Sequence, residues 1–223
     1  MPNPELLVCD SDALVQLFIA EQLSPLKCLR DEFGIQPVVV EEVDVELRWM
    51  RRYKDRFKYA LERAYRSGIL ELLDRTAFQA RTSMAPLGAS WENFQQLGMQ
   101  YEGRVHRGEA YTFAAALALG MPALSNDFSA IRTLQANLLS LPSPVLRTFD
   151  LIAFALQSGS LSMKNCEQVR SDLLGGAEVI PRAFAHASFE DGLPNFGCRL
   201  REGSPSIAAG AGDYDTPLYI SRT

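Results

Sequence analysis

The chain is poor in the residues that build the commoner metal and disulfide sites. It has only two histidines, His106 and His186, and four cysteines, Cys9, Cys28, Cys166 and Cys198, with no paired spacing among them. That pattern argues against a zinc site and against a disulfide framework, and it leads to the expectation of a reducing cytoplasm. No run of about 18 apolar residues occurs that could span a bilayer. The first apolar stretch lacks the basic flank of a secretory signal. The remaining composition, 47% hydrophobic and 22% charged in 223 residues, is that of an ordinary globular protein. This length suits one domain, or one domain with a small appendage, and can bury a substantial core.

Basic residues are also in the minority, and the net charge is −5. Their distribution matters more than their number. Segment 48–66 holds eight basic residues, Arg48, Arg51, Arg52, Lys54, Arg56, Lys58, Arg63 and Arg66, against Asp55 and Glu62. It therefore carries +6, and the rest of the chain −11. A protein acidic overall still presents a basic stripe to a polyanion in this way.

The apolar run 6–9 ends at Asp10, and helical periodicity follows over 13–23, so a buried strand leads into a helix. A second strand is predicted at 37–40, a long helix over 42–67 ending at Gly68, and a third strand at 69–73. Helical pieces over 76–103 break at Pro86 and Gly88. An alanine-rich helix over 109–119 stops at Gly120 with Pro122 beyond it, a strand follows at 123–125, and two further helices fall at 149–159 and 163–174. The expected organisation is a domain over 1–150, a helical extension over 151–201 packed on it, and a flexible tail of Gly, Ala and Ser over 202–223. Alternating strands and helices predict an α/β fold, a mainly parallel sheet covered by helices on both faces. Chemistry in such sheets gathers at the carboxyl ends of the strands, where Asp10 and Asp127 are placed.

Two more acids stand out. On a helix over 42–67, Val43, Leu47, Met50, Phe57 and Leu61 share a stripe about 80° wide, and Glu46 lies at its border, whereas Glu41 and Asp44 point to solvent. Glu109 opens the alanine helix, whose small side chains permit close approach to the sheet. Each acid also has a plainer reading: N-caps for Asp10 and Asp127, a dipole complement for Glu109, and a partly exposed border residue for Glu46. Four unpaired carboxylates in one crevice repel one another and raise each other's pKa, a clustering that makes sense if hard divalent cations neutralise it. Magnesium and manganese, which favour oxygen ligands, fit that donor set.

The stretches Leu7-Val8-Cys9-Asp10-Ser11-Asp12-Ala13-Leu14, Val43-Asp44-Val45-Glu46-Leu47, Gly108-Glu109-Ala110 and Ser125-Asn126-Asp127-Phe128 together resemble the PIN-domain family across residues 5–135. The resemblance implies a three-layer α/β/α fold with about five strands and Mg²⁺- or Mn²⁺-dependent cleavage of RNA. It assigns the catalytic, metal-holding acids to Asp10, Glu46, Glu109 and Asp127. Many members are toxins of bacterial toxin–antitoxin pairs, so an antitoxin partner is expected, and a homodimer is a further expectation. Asp12 stands where relatives often carry Asn or Ser, and it adds a fifth carboxylate or shifts the metal. The stretch between Glu46 and Glu109 is longer than in compact toxins, and an extension follows.

On the long predicted helix, Arg48, Arg52, Arg56, Tyr59, Arg63 and Arg66 fall within a sector of about 80° opposite the apolar stripe. They read as a solvated face, as an RNA track with Tyr59 stacking on a base, or as a dock for an acidic partner. Two other functions compete with the nuclease. Asp10-Ser11-Asp12 after a strand mimics the nucleophile loop of haloacid dehalogenase-type phosphatases, although the later paired acidic loop is missing. A PIN-like fold acting only as a binding module would be marked by loss of an acid, and all four are present.

Overall fold

Four consecutive apolar side chains, Leu6 to Cys9, are fully buried in strand β1 (Glu5–Cys9), which is stable only where both faces of a sheet are covered. The computed structural model describes residues 5–49, 54–82, 88–137, 139, 145–176, 178–196, 199–200 and 207–208. Helices α1 (Ser11–Ile19) and α2 (Ser24–Phe33) lead to β2 (Ile35–Val40), buried at every position. Next come α3 (Glu41–Trp49), α4 (Lys54–Arg66), β3 (Glu71–Leu73), α5 (Arg75–Thr82), α6 (Trp91–Glu102) and α7 (Arg107–Leu119). Strand β4 (Ala123–Leu124), α8 (Phe128–Ala136), β5 (Val145–Leu146) and α9 (Thr148–Gln157) complete the sheet region. Beyond it lie α10 (Met163–Gly175), α11 (Arg182–Ala185), α12 (Phe189–Phe196) and a small antiparallel pair, β6 (Arg199–Leu200) and β7 (Ile207–Ala208).

The five strands of the main sheet run parallel in the order β3-β2-β1-β4-β5, between helical layers. This is the three-layer α/β/α architecture with a parallel central sheet that the alternation of elements predicts. Pro37, which has no N–H to give, pairs opposite Leu7 before β3 begins, since the β2–β3 register starts at Val38 opposite Glu71. Between β1 and β4 the strand order reverses. In an open α/β sheet that reversal leaves a crevice at the carboxyl ends of the two strands.

Helix α7 packs under this crevice. Of its thirteen residues all but Arg107 and Leu117 are buried, and five of the buried ones are alanine. Small side chains let the helix axis lie close to the sheet, which carries its first turn to the strand ends.

The segment predicted as one helix over 42–67 is two helices, with residues 50–53 outside the described set. Tyr65 Oη donates to Asp44 Oδ1 at 2.8 Å, though 21 residues separate them. Along one continuous helix they would stand about 31 Å apart. Folding back buries Val43 and Leu47 of α3 together with Leu61 and Ala64 of α4, which a single rod would carry away from the core. The first helix also ends earlier than predicted, at Ile19. Glu21, with φ of 53°, turns the chain into α2.

The C-terminal helices share the same core. Phe149 of α9 stacks on Phe184 at 4.8 Å, and Phe184 on Phe189 at 4.7 Å. Gln16 of α1 donates to the Val179 carbonyl at 2.8 Å. Apart from Ile207–Ala208, the predicted flexible tail lies outside the described residues, as do Pro86 and Cys198. Among the described residues no helix is long and apolar enough to cross a membrane.

Candidate metal centre

Asp10 follows directly on β1 and is fully buried. Its Oδ1 accepts from the Ser11 N–H at 2.7 Å, capping α1, and its Oδ2 accepts from Ser125 Oγ at 3.1 Å. Ser125 follows directly on β4 and is likewise buried. Its Oγ accepts from the Asp127 N–H at 3.2 Å, while Asp127 Oδ1 accepts from the Ala130 N–H at 2.8 Å and caps α8. Both aspartates are therefore N-caps, as the plainer reading has it, and both also face the crevice. Asn126 secures the third strand end. Its amide donates to Thr148 Oγ1 at 2.9 Å and its Oδ1 accepts from the Thr148 N–H at 3.0 Å, fixing the start of α9.

Glu109 enters from the first turn of α7 and is 7% exposed. Its Oε2 is buried and has no hydrogen-bond partner. A carboxylate oxygen held in that condition costs several kcal/mol in an ionised state unless a proton or a cation meets it. Oxygens of Asp12, Glu109 and Asp127 all lie within 4.8 Å of one another. Asp12 thus belongs to the cluster itself.

Glu46 comes from α3 and stays solvent-accessible, but its carboxylate turns toward the same crevice. It lies so close to Gly108 that a Cβ there would collide with Glu46 Oε2 and stand 3.6 Å from Asp10 Oδ1. Glycine at 108 is what lets α7, α3 and the end of β1 meet. The structure therefore brings all five acids to one place: Asp10, Asp12, Glu46, Glu109 and Asp127.

Their electrostatics follow from that crowding. Burial, then Glu109 and Asp12, hold the Asp10 carboxyl well above the usual range, against the Ser11 hydrogen bond. Burial together with Asp127 and Asp12 pushes Glu109 up to about 8. Asp12 is raised by burial and by Asp127, with His106 opposing. Glu46 is raised chiefly by burial and opposed by a hydrogen bond with Ser11.

No protein-family model matches the chain, and no curated protein matches it. The site therefore stands on its own geometry. Its donors are carboxylate oxygens, the set that hard divalent cations favour, and Glu109 Oε2 is left without a partner in their midst. Asp12, Glu109 and Asp127 are the residues whose oxygens could together hold a metal ion, with Asp10 beside them.

The basic residues are distributed differently from the single-helix expectation. Arg48 lies on α3, pairs with Asp44 at 2.8 Å and stands over the Tyr65 ring at 5.9 Å. Tyr59, Arg63 and Arg66 lie on α4 and border a hollow of about 270 Å³ with Glu62 and Ser67. Arg66 also faces Glu62 at 3.5 Å. Arg52 and the side chain of Arg56 lie outside the described residues. One common helical sector running from 48 to 66 does not exist, because the two helices fold against each other.

Ser125, Gly108 and Ser11 are site residues that sequence reasoning passed over. The only local sign of Ser125 is its place at a strand end before Asn126-Asp127. Gly108 shows nothing until the helices are assembled.

Proposed function

We propose that the protein is a Mg²⁺- or Mn²⁺-dependent endoribonuclease of PIN-like type, and that it acts as the toxin of a toxin–antitoxin pair. The observation that carries the reading is the buried, unpartnered Glu109 Oε2 among four further carboxylates at the switch point of a parallel sheet. A divalent cation bound there would supply an activated water and offset the charge of a phosphodiester. The chain's own residues do the rest. Asp12, Glu109 and Asp127 present the ligand oxygens. Ser11 and Ser125 hold Asp10 in place, and Gly108 admits Glu46 to the group. Glu109, whose pKa burial and its acidic neighbours push up to about 8, would have to lose its proton to serve as a ligand to such a cation.

Arg63, Arg66 and Tyr59 are the basic-face residues with an accessible hollow to offer RNA, with Arg52 and Arg56 as further contacts and Arg48 set back in its pair with Asp44. An antitoxin protein and a second copy of the chain are the proposed partners. The buried unpaired thiols of Cys9, Cys28 and Cys166 fit a reducing compartment, the cytoplasm. The phosphatase reading is weakened by Asp10 itself, which is wholly buried with both oxygens already hydrogen-bonded, a poor nucleophile for an incoming phosphate.

The deciding experiment is cleavage of single-stranded RNA with Mn²⁺, with Mg²⁺ and with EDTA. Asp10→Asn and Glu109→Gln are each expected to lose at least about 100-fold in activity. If Asp10→Asn cuts RNA as the wild type does, the nuclease reading is wrong.

A further inference from the structure

A cleft of about 430 Å³ opens beside the carboxylates and includes Asp127 in its lining. One wall is the turn from α6 to α7, bearing Arg104 and His106, and the other is the first two turns of α8, bearing Ser129 and Thr133. Its volume lies in the lower part of the roughly 300–1,000 Å³ range of small-ligand sites.

Arg104 and His106 are the groups of the cleft that can meet an anion, set against the carboxylates of Asp127 and Glu102. Arg104 is exposed and has no ion-pair partner among the described residues. Its neighbour Arg107 is committed elsewhere, pairing with Glu42 at 3.8 Å and lying over the Tyr111 ring at 5.5 Å. His106 is exposed and sits close enough to Asp12 and Glu46 to favour their charged forms. Ser129 and Thr133, four residues apart, share one face of α8. The Ala130 N–H in the first turn of that helix is already taken by Asp127, which leaves the side chains of Arg104, His106, Ser129 and Thr133 as polar groups of the cleft. Glu102 stands at the rim and keeps the cleft from being uniformly basic.

We propose that this cleft seats the nucleotide next to the scissile phosphate, with Arg104 and His106 on its phosphate and Ser129 and Thr133 toward its ribose. The inference rests on the ribonuclease reading and adds to it the place and polarity of one substrate subsite. A strand that lays a phosphodiester against Asp12, Glu109 and Asp127 must pass its adjoining unit across Asp127, and the cleft begins there. The ribose hydroxyl that distinguishes RNA from DNA would then meet the two α8 hydroxyls.

The test uses the full chain and a labelled single-stranded oligouridylate with Mn²⁺, reading KM and kcat separately. Arg104→Gln is expected to raise KM roughly tenfold at little change in kcat, the loss appropriate to one charge-assisted contact. It should also lower the slope of affinity against salt by about one. Arg104→Lys should recover most of the loss, and Arg107→Gln should leave KM as it is. In every variant the Mn²⁺-induced rise in Tm should be retained, because no ligand oxygen is altered. Ser129→Ala should narrow the preference for the oligouridylate over the matching deoxyoligonucleotide. If the wild type cuts RNA while Arg104→Gln keeps the wild-type KM and salt slope, the subsite is refuted and the nuclease reading stands. If the wild type neither cuts the oligouridylate nor responds to Mn²⁺, both fall together.

Discussion

A glutamate that is 7% exposed, with one oxygen unpartnered, holds its proton far beyond the ordinary range, and Glu109 does so up to about pH 8. Because the folded value lies above that of the unfolded chain, near 4.5, the metal-free protein has this stability in full below about pH 4.5 and loses it as pH rises to about 8. Asp10 shifts in the same direction and adds to the slope. The expected outcome is a Tm in EDTA that falls between those limits, with Mn²⁺ restoring it most at the alkaline end, where the carboxylates are charged. Thermal melts across that window, with and without the ion, check it. A flat Tm in EDTA would remove the protonated carboxyl from the account. Glu109→Gln should flatten the slope, raise metal-free stability at alkaline pH and abolish the Mn²⁺ response. Gly108→Ala separates the site from the fold. The added methyl meets the mobile end of Glu46 rather than backbone, while alanine favours a helix by about 0.5–1 kcal/mol over glycine. Stability in denaturant should therefore hold or rise slightly, yet Mn²⁺ affinity measured by calorimetry should drop as Glu46 is pushed aside.

Helices α3 and α4 show how an element is misread from periodicity alone. Residues 49–53, Trp-Met-Arg-Arg-Tyr, contain no glycine or proline, and the apolar positions on either side keep one helical phase. Nothing local marks the reversal; it exists because both stripes reach the core only when the chain turns back. The elements that were legible carry their cause within a few residues. β1 and β2 are runs of apolar residues buried on both faces, and α7 has its alanines and a left-handed Gly120 at its end. Strand β5 has only two residues and leaves no pattern, and α2 begins after an abrupt turn at Glu21. In the site, Asp10 and Asp127 were legible as acids at strand ends, and Glu109 as an acid on a small-residue helix. Ser125 and Gly108 were not, because their roles arise from how close separate elements come. Two outcomes test the packing of α3 against α4. Tyr65→Phe, which removes the hydrogen bond to Asp44, should cost about 1–2 kcal/mol in urea unfolding. Arg63→Gln and Arg66→Gln should weaken RNA binding and its salt dependence more than Arg48→Gln, whose charge already faces Asp44; equal effects would return all three to one common face.

Across the whole molecule, the extension is a structural part of the domain. The stack of Phe149, Phe184 and Phe189 ties α9 to α11 and α12, and the bond from Gln16 to Val179 ties the extension to α1, the helix that Asp10 caps. Phe184→Ala, at a fully buried position, should cost about 3–5 kcal/mol and lower the Tm of the entire chain in one transition. An independent early melt in calorimetry would instead mark the extension as a separate unit. The sheet order has a consequence for how the protein comes into being. Val8 pairs with Ala123, and the bond from Ser125 to Asp10 spans 115 residues of chain. During synthesis, which proceeds at about 5–20 residues per second, Asp10 emerges many seconds before its partners on β4. Until that distant strand is added, there is no crevice between β1 and β4, and Asp10 lacks its Ser125 partner and its neighbour Asp127. A ribosome making this chain therefore carries only an unassembled half of the crevice until the β4 strand and the turn that follows it have left the tunnel.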